Sequence, residues 1–167
     1  MKRFKTGDLV LIALLIGLNV VLSRFLSINA WNIKIGFTFL TIYVAARIYG
    51  PLGGIIVGGL GDLIGSLLFP TGPYFPGFTF TAILTGLLYG LLLRKKSDTF
   101  TIAYTCIINE FIINLLINTY WIHLISNANY LVLLSTRIIQ AVIKTVVGVI
   151  TISLLAKALP AIERRRK

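Results

Sequence analysis

The sequence predicts an all-α integral membrane protein: a bundle of six transmembrane helices with both chain ends on the cytoplasmic face. Three observations predict it. Of the 167 residues, 57% are hydrophobic and only 13% charged, with a mean hydropathy of +0.92, which excludes an ordinary soluble domain. The apolar residues run in continuous stretches, not in the short alternating segments of a membrane β-barrel. At roughly 20 residues per span, the chain accommodates six helices with short connections, so residues 1–167 read as a single domain.

The third observation is where the charge lies. A net charge of +11 would point a soluble protein toward nucleic acid. Here the cations sit at the ends of apolar runs, which is a topology signal. Lys2, Arg3, Lys5, Arg47, Arg94, Lys95, Lys96, Lys157, Arg164, Arg165, Arg166 and Lys167 all fall on one side of a six-span chain. Arg24, Lys34, Arg137 and Lys144 do not, and so become candidates for another role.

Span one covers about Asp8–Leu26. Its Ala13 and Gly17 form a small-xxx-small pair able to seat a partner helix, either of the same chain or of another. No small-residue cleavage site follows the apolar run, so it reads as a retained helix. Arg24 ends this span on the outer side, against the positive-inside trend. It either snorkels to headgroups or binds a ligand's carboxylate. An outer loop over Ser27–Ile35 follows, with Trp31 as an interfacial anchor and Lys34 near its end.

Span two (Gly36–Tyr49) is short, and a tight turn at Gly50-Pro51 leads into span three (Leu52–Phe69). Gly54-xxx-Gly58 and Gly61-xxx-Gly65 strip side chains from span three at four-residue spacing, inviting close helix approach. Asp62 lies in the middle of that apolar run, where a carboxylate is costly unless paired. The segment Pro70-Thr71-Gly72-Pro73-Tyr74-Phe75-Pro76-Gly77 reads as a non-helical hinge, because each proline removes a donor and fixes φ. Uncharged and aromatic, it suits a lid or pocket wall. Span four (Phe78–Leu93) carries Thr79, Thr81 and Thr85.

Span five (Phe100–Leu124) is the most polar. At helical spacing Glu110, Asn114, Asn118 and Trp121 share one face. A short turn at Asn127–Asn129 makes span six (Tyr130–Leu159) antiparallel to it, and Arg137, Gln140 and Lys144 again share a face. Reflection about the turn sets Glu110 level with Lys144, Asn114 with Gln140, and Asn118 with Arg137. Glu110 and Lys144 are therefore expected to form a structural ion pair beneath a pocket. Arg137 remains in need of an anion, which a ligand would supply.

Cys106, the single cysteine, leaves no internal disulfide or cysteine cluster and reads as packing. No P-loop, metal-spaced His/Asp/Glu set or nucleophile elbow is legible. The sequence therefore points away from an enzyme, from a bound cofactor or metal, and from nucleic acid. His123, near the outer end of span five, is either a proton relay or simply hydrated.

Taken together, Lys34-Ile-Gly-Phe-Thr-Phe-Leu, the Gly50–Gly65 run through GGLGDLIG, and PTGPYFPGFT resemble the folate-specific substrate-binding S component of energy-coupling factor transporters, over most of the chain. The resemblance implies a bacterial cell-membrane importer module that binds vitamin from outside. It also implies docking on a transmembrane coupling subunit served by two ATP-binding-cassette ATPases, with Ala13 and Gly17 on the docking face. By position and chemistry, the vitamin would meet Arg24, Lys34, Tyr74, Phe75, Thr79, Asn114, Asn118, Trp121, Arg137 and Gln140. Aromatic residues would wall the flat rings, amides would meet the pterin edge, and cations would hold the glutamate tail. The same scaffold could instead take pantothenate or a thiazole. A self-sufficient proton-coupled transporter using Asp62, Glu110 and Lys144, or a scaffold whose polar stripes only join helices, are the alternatives from other classes.

Overall fold

A computed structural model describes residues 5–30, 33–70 and 72–164, with the side chains of 28–30, 33–35 and 160–164 outside that description. Trp31, Thr71, Lys2, Arg3, Arg165, Arg166 and Lys167 also lie outside the described residues. Six helical segments form the bundle: α1 (Thr6–Arg24), α2 (Thr38–Tyr49), α3 (Pro51–Leu68), α4 (Pro76–Leu92), α5 (Thr99–Ser126) and α6 (Tyr130–Arg164). Four of them are long and apolar enough to cross a membrane; α2 and α4 are shorter apolar helices. At 1.5 Å per residue, the twelve residues of α2 reach only about 18 Å.

The loop expected over Ser27–Ile35 contains a small antiparallel hairpin, β1 (Ile28–Ala30) with β2 (Ile33–Ile35), which pairs Asn29 with Lys34. It lies at the end of the bundle where α1 finishes, called distal below; the end where α1 starts is basal. The expected hinge is shorter than its prolines suggested. Pro76 is the first residue of α4, a position where a proline's missing N–H costs nothing and its fixed φ suits the helix.

Glycine positions set the packing of α1 to α4. Gly54 and Gly86 meet backbone to backbone, so a methyl on either would strike the other's carbonyl, and one on Gly58 would stand 2.6 Å from the Ala82 carbonyl oxygen. The Gly54/Gly58 stripe of α3 thus receives a small-residue stripe of α4 that had gone unread: Ala82, Gly86 and Gly90. Farther along α3, Gly61 accommodates Asn19 of α1 and Gly65 accommodates Arg24. Asn19 in turn donates to Thr41 Oγ1 (2.7 Å) and the Thr38 carbonyl (3.3 Å), tying α1 to α2. In a membrane such contacts replace the hydrophobic driving force.

Among the described residues α1 contacts only α2 and α3, whereas α5 and α6 form a hairpin that joins the rest through α4 and α2. A basal core cements that joint, with Tyr43, Tyr89, Leu93, Ile102, Cys106 and Ile152 buried together. Arg47 closes the basal end by donating to the Leu93 carbonyl at 3.2 Å and to the Arg94 carbonyl. At the distal end β2 packs on α6, so the hairpin bridges from the end of α1 to the α5/α6 pair.

α5 is not a uniform α-helix. Thr99–Ile107 and Asn118–Ser126 are α-helical, but Ile108–Ile117 is a π-helix, a rare form that tends to occur at functional sites. Its i→i+5 bonding re-aims every side chain beyond it.

Candidate ligand-binding site

Glu110 lies at the heart of the α5/α6 interface and is 4% exposed. Lys144 Nζ stands 3.0 Å from its Oε2, a charge contact rather than an aligned hydrogen bond. Oε1 accepts from Asn109 Nδ2 at 2.9 Å and from Asn114 Nδ2 at 3.3 Å. The sequence reading missed Asn109, which precedes Glu110 and so falls off the expected face. It is buried and also accepts from Thr85 Oγ1 at 2.8 Å, linking the carboxylate to α4.

Beside this group is a cavity of about 10 Å³ lined by Glu110, Asn114, Leu115, Arg137, Gln140 and Ala141, close to the minimum that holds one water. Arg137 is 6% exposed, and its Nε and Nη1 have no hydrogen-bond partner among the described residues. It reaches the level of Glu110 and Asn114, not the Asn118 rung expected from reflection about the turn. One carboxylate therefore meets two cations within the spans, leaving one positive charge in excess. Such an excess is costly in a membrane interior unless an anion joins it.

The π segment separates the polar residues that helical spacing put on one face. Glu110 and Asn114 look toward α6. Asn118 instead accepts from Thr81 Oγ1 of α4 at 3.3 Å, and Trp121 packs against Gly77, where any side chain would collide with the indole. Phase is lost because i→i+5 bonding advances the chain by less than 100° per residue.

At the distal end the aromatic wall is assembled. Phase lost by the π-helix brings Trp121 to Phe75, with ring centroids 5.6 Å apart, and Phe75 also meets Phe78 at 6.1 Å. Trp121 Nε1 is buried without a hydrogen-bond partner among the described residues. Tyr74 Oη lies 3.4 Å from Thr79 Oγ1, and Thr79 Oγ1 donates to Asp62 Oδ2 at 2.8 Å. Asp62 had been noticed in the sequence without a partner; Thr79 is that partner.

Three cations were expected to gather around one ligand tail, and the fold does not bring them together. Arg24 lays its guanidinium over Gly65 on the α1/α3 side, whereas Arg137 belongs to α6, which α1 does not touch among the described residues. Lys34 is in β2, against α6, with its side chain outside the described residues. Ala13 and Gly17 are exposed, and a methyl on Gly17 would meet nothing within 4 Å; they are not used to pack this chain's own helices. His123 contacts the Ala128 carbonyl at 2.6 Å, so the turn residue Ala128 holds it. The larger recess, an open groove of about 540 Å³ lined by Leu116, Ile117, Tyr120, His123 and Tyr130, has no Asp, Glu, Lys or Arg in its lining and lies on a flank whose Leu116 and Tyr120 are exposed. That groove shares no lining residue with the polar cavity around Glu110.

A family model described as "ECF-type riboflavin transporter, S component" matches residues 3–160. The chain is 39% identical over 92 residues to a folate transporter FolT of Clostridium novyi (strain NT), and 36% identical over 97 residues to one of Leuconostoc mesenteroides subsp. mesenteroides. These alignments cover 55% and 58% of this chain and 54% and 52% of those proteins, so the match spans about half the length of the curated relatives. A crystal structure titled "FolT bound with folic acid" superposes with a TM-score of 0.87 at 31% identity, over 92% of this chain and 95% of that one.

Proposed function

The chain belongs to the family of ECF-type transporter S components that carries the riboflavin description, and within it we propose a membrane-embedded folate-binding subunit of an energy-coupling factor importer. This is a transporter family, not an enzyme family. The family description suggests riboflavin and the relatives' names suggest folate; the charge of the site favours folate. The observation that carries the proposal is the excess cation: Arg137 and Lys144 against Glu110 alone. Riboflavin is neutral and leaves the excess charge in place. Folate carries two carboxylates on its glutamate and removes it. A carboxylate beside Arg137 would supply a charge-assisted acceptor to buried donors that have none among the described residues.

The remaining roles follow from position. Tyr74, Phe75 and Trp121 wall the flat rings, while Thr79, Asn118 and Gln140 offer edge contacts, with Asn114 beneath them. Arg24 and Lys34 border the distal entrance and draw an anion in. The Glu110–Lys144 pair supports the floor without touching the vitamin. Because the polar cavity has room for about one water, the vitamin enters only when the Phe75–Trp121 contact or the β1–β2 hairpin moves aside.

The distal end faces outward and both termini are cytoplasmic in a bacterial cell membrane, since the basal end gathers the cations. The exposed Ala13/Gly17 strip docks on the transmembrane coupling subunit, whose two ABC ATPases supply the energy. Titration of the purified chain with folate and with riboflavin tests the ligand: folate binds and riboflavin does not. Tight riboflavin binding with none for folate would overturn the proposal.

A further inference from the structure

Asp62 is absorbed by none of this. It continues the Gly54/Gly58 stripe of α3 by one more four-residue step, so it faces α4 where the two helices begin to part. It lies six residues before the distal end of α3 at Leu68, or about 9 Å at 1.5 Å per residue. Thr79 clamps its Oδ2 at 2.8 Å, and Tyr74 leans on Thr79 from the hinge. Oδ1 accepts from no described residue, and the group is half-buried. The result is an oriented carboxylate with an unused acceptor, at the distal end that holds the aromatic wall.

We infer that Asp62 reads the 2-amino-4-oxopyrimidine edge of the pterin and thereby separates pterins from flavins, a role that rests on the folate reading. That edge presents two adjacent donors, the N3–H and the 2-amino group, which match the two oxygens of one carboxylate in a paired contact. The isoalloxazine of riboflavin presents a single N3–H flanked by two carbonyls. Against Asp62 it forms one bond and brings a carbonyl lone pair to the second carboxylate oxygen. A site built to bond a donor rejects the analogue that lacks it, because the acceptor that the bound ring covers is then left unpaired. Thr79 fixes the plane of the fork and does not compete for Oδ1.

The test compares folate with 2-desamino-2-methylfolate, which keeps the tail and rings and loses one donor. With the purified full chain, folate is expected to bind about 10- to 100-fold more tightly than the analogue, the range for a charge-assisted bond. Asp62→Asn, which retains an acceptor for Thr79, is expected to weaken folate by at least that same factor and to weaken the analogue, which keeps only the N3–H contact, by less. Equal affinity of both ligands for the wild-type chain overturns the assignment, as does an equal loss for both in Asp62→Asn. The wild-type ratio carries the test even where the variant fails to fold. Wild-type binding of folate itself reports on the underlying ligand reading, so the two claims fail separately.

Discussion

Neutralising Glu110 is expected to be far more damaging than neutralising the lysine it pairs with. The structure supplies the reason. Lys144 stands 3.0 Å from the carboxylate, and Arg137 lines the same cavity, so the local charge is +1 in the wild type. Glu110→Gln raises it to +2 and strands two buried cations, at a cost of about 3–5 kcal/mol. Lys144→Met lowers it to zero. Glu110 keeps Asn109 and Asn114 as donors and gains undivided attraction from Arg137, so the loss is about 1 kcal/mol. The double variant returns to +1 and is expected to recover about 2 kcal/mol of the Glu110→Gln loss. For an isolated ion pair the double variant would outperform both single ones; Arg137 in the same cavity removes that symmetry. Thermal unfolding of the purified chain in detergent ranks the three. Lys144→Met as damaging as Glu110→Gln, or a double variant no more stable than Glu110→Gln, would refute the reasoning.

Arg137→Gln should weaken folate by about 10- to 100-fold, as expected for a lost charge-assisted contact, while pteroate, which lacks the glutamate, changes little; equal losses would take the arginine off the tail. Gly17→Leu should leave folding and vitamin binding intact and abolish uptake by the assembled transporter, whereas Gly86→Leu should prevent folding, since backbone and not a mobile side chain opposes it. Asp98, outside the spans, accepts from Thr101 N and Oγ1 at the start of α5, and these bonds hold its carboxyl below the ordinary 3.8. Because its folded pKa is depressed, the cap's contribution is present above about pH 4 and lost as pH falls through the lowered value. Asp98→Asn should therefore flatten the acid limb of a stability profile.

Much of this architecture is legible in the sequence because a membrane restricts the options. Apolar runs, the sidedness of cations and a short turn at Asn127–Asn129 lead to six helices with α5 and α6 antiparallel, and hence to Glu110 and Lys144 at one depth. The glycines of α3 announce close packing, and only the answering Ala82/Gly86/Gly90 stripe of α4 was overlooked. The π-helix left no such trace. Ile108–Ile117 contains neither glycine nor proline, so nothing marks the change from i→i+4 to i→i+5 bonding. For that reason Asn118 and Trp121 turn to α4 and Asn109 joins the carboxylate, contrary to a 100° count. The hairpin was missed because three-residue strands carry too short an alternation to distinguish from a loop. The Asp62–Thr79 contact joins helices across the hinge, and its existence depends on where α4 starts, at Pro76.

The claim that an excess buried cation selects an anionic pterin is tested most directly by mass spectrometry of small molecules that co-purify with the detergent-solubilised chain from folate- and riboflavin-replete cells. The account predicts folates in the wild-type preparation and their loss from Arg137→Gln. Riboflavin retained by both proteins, with no folate in either, would contradict it.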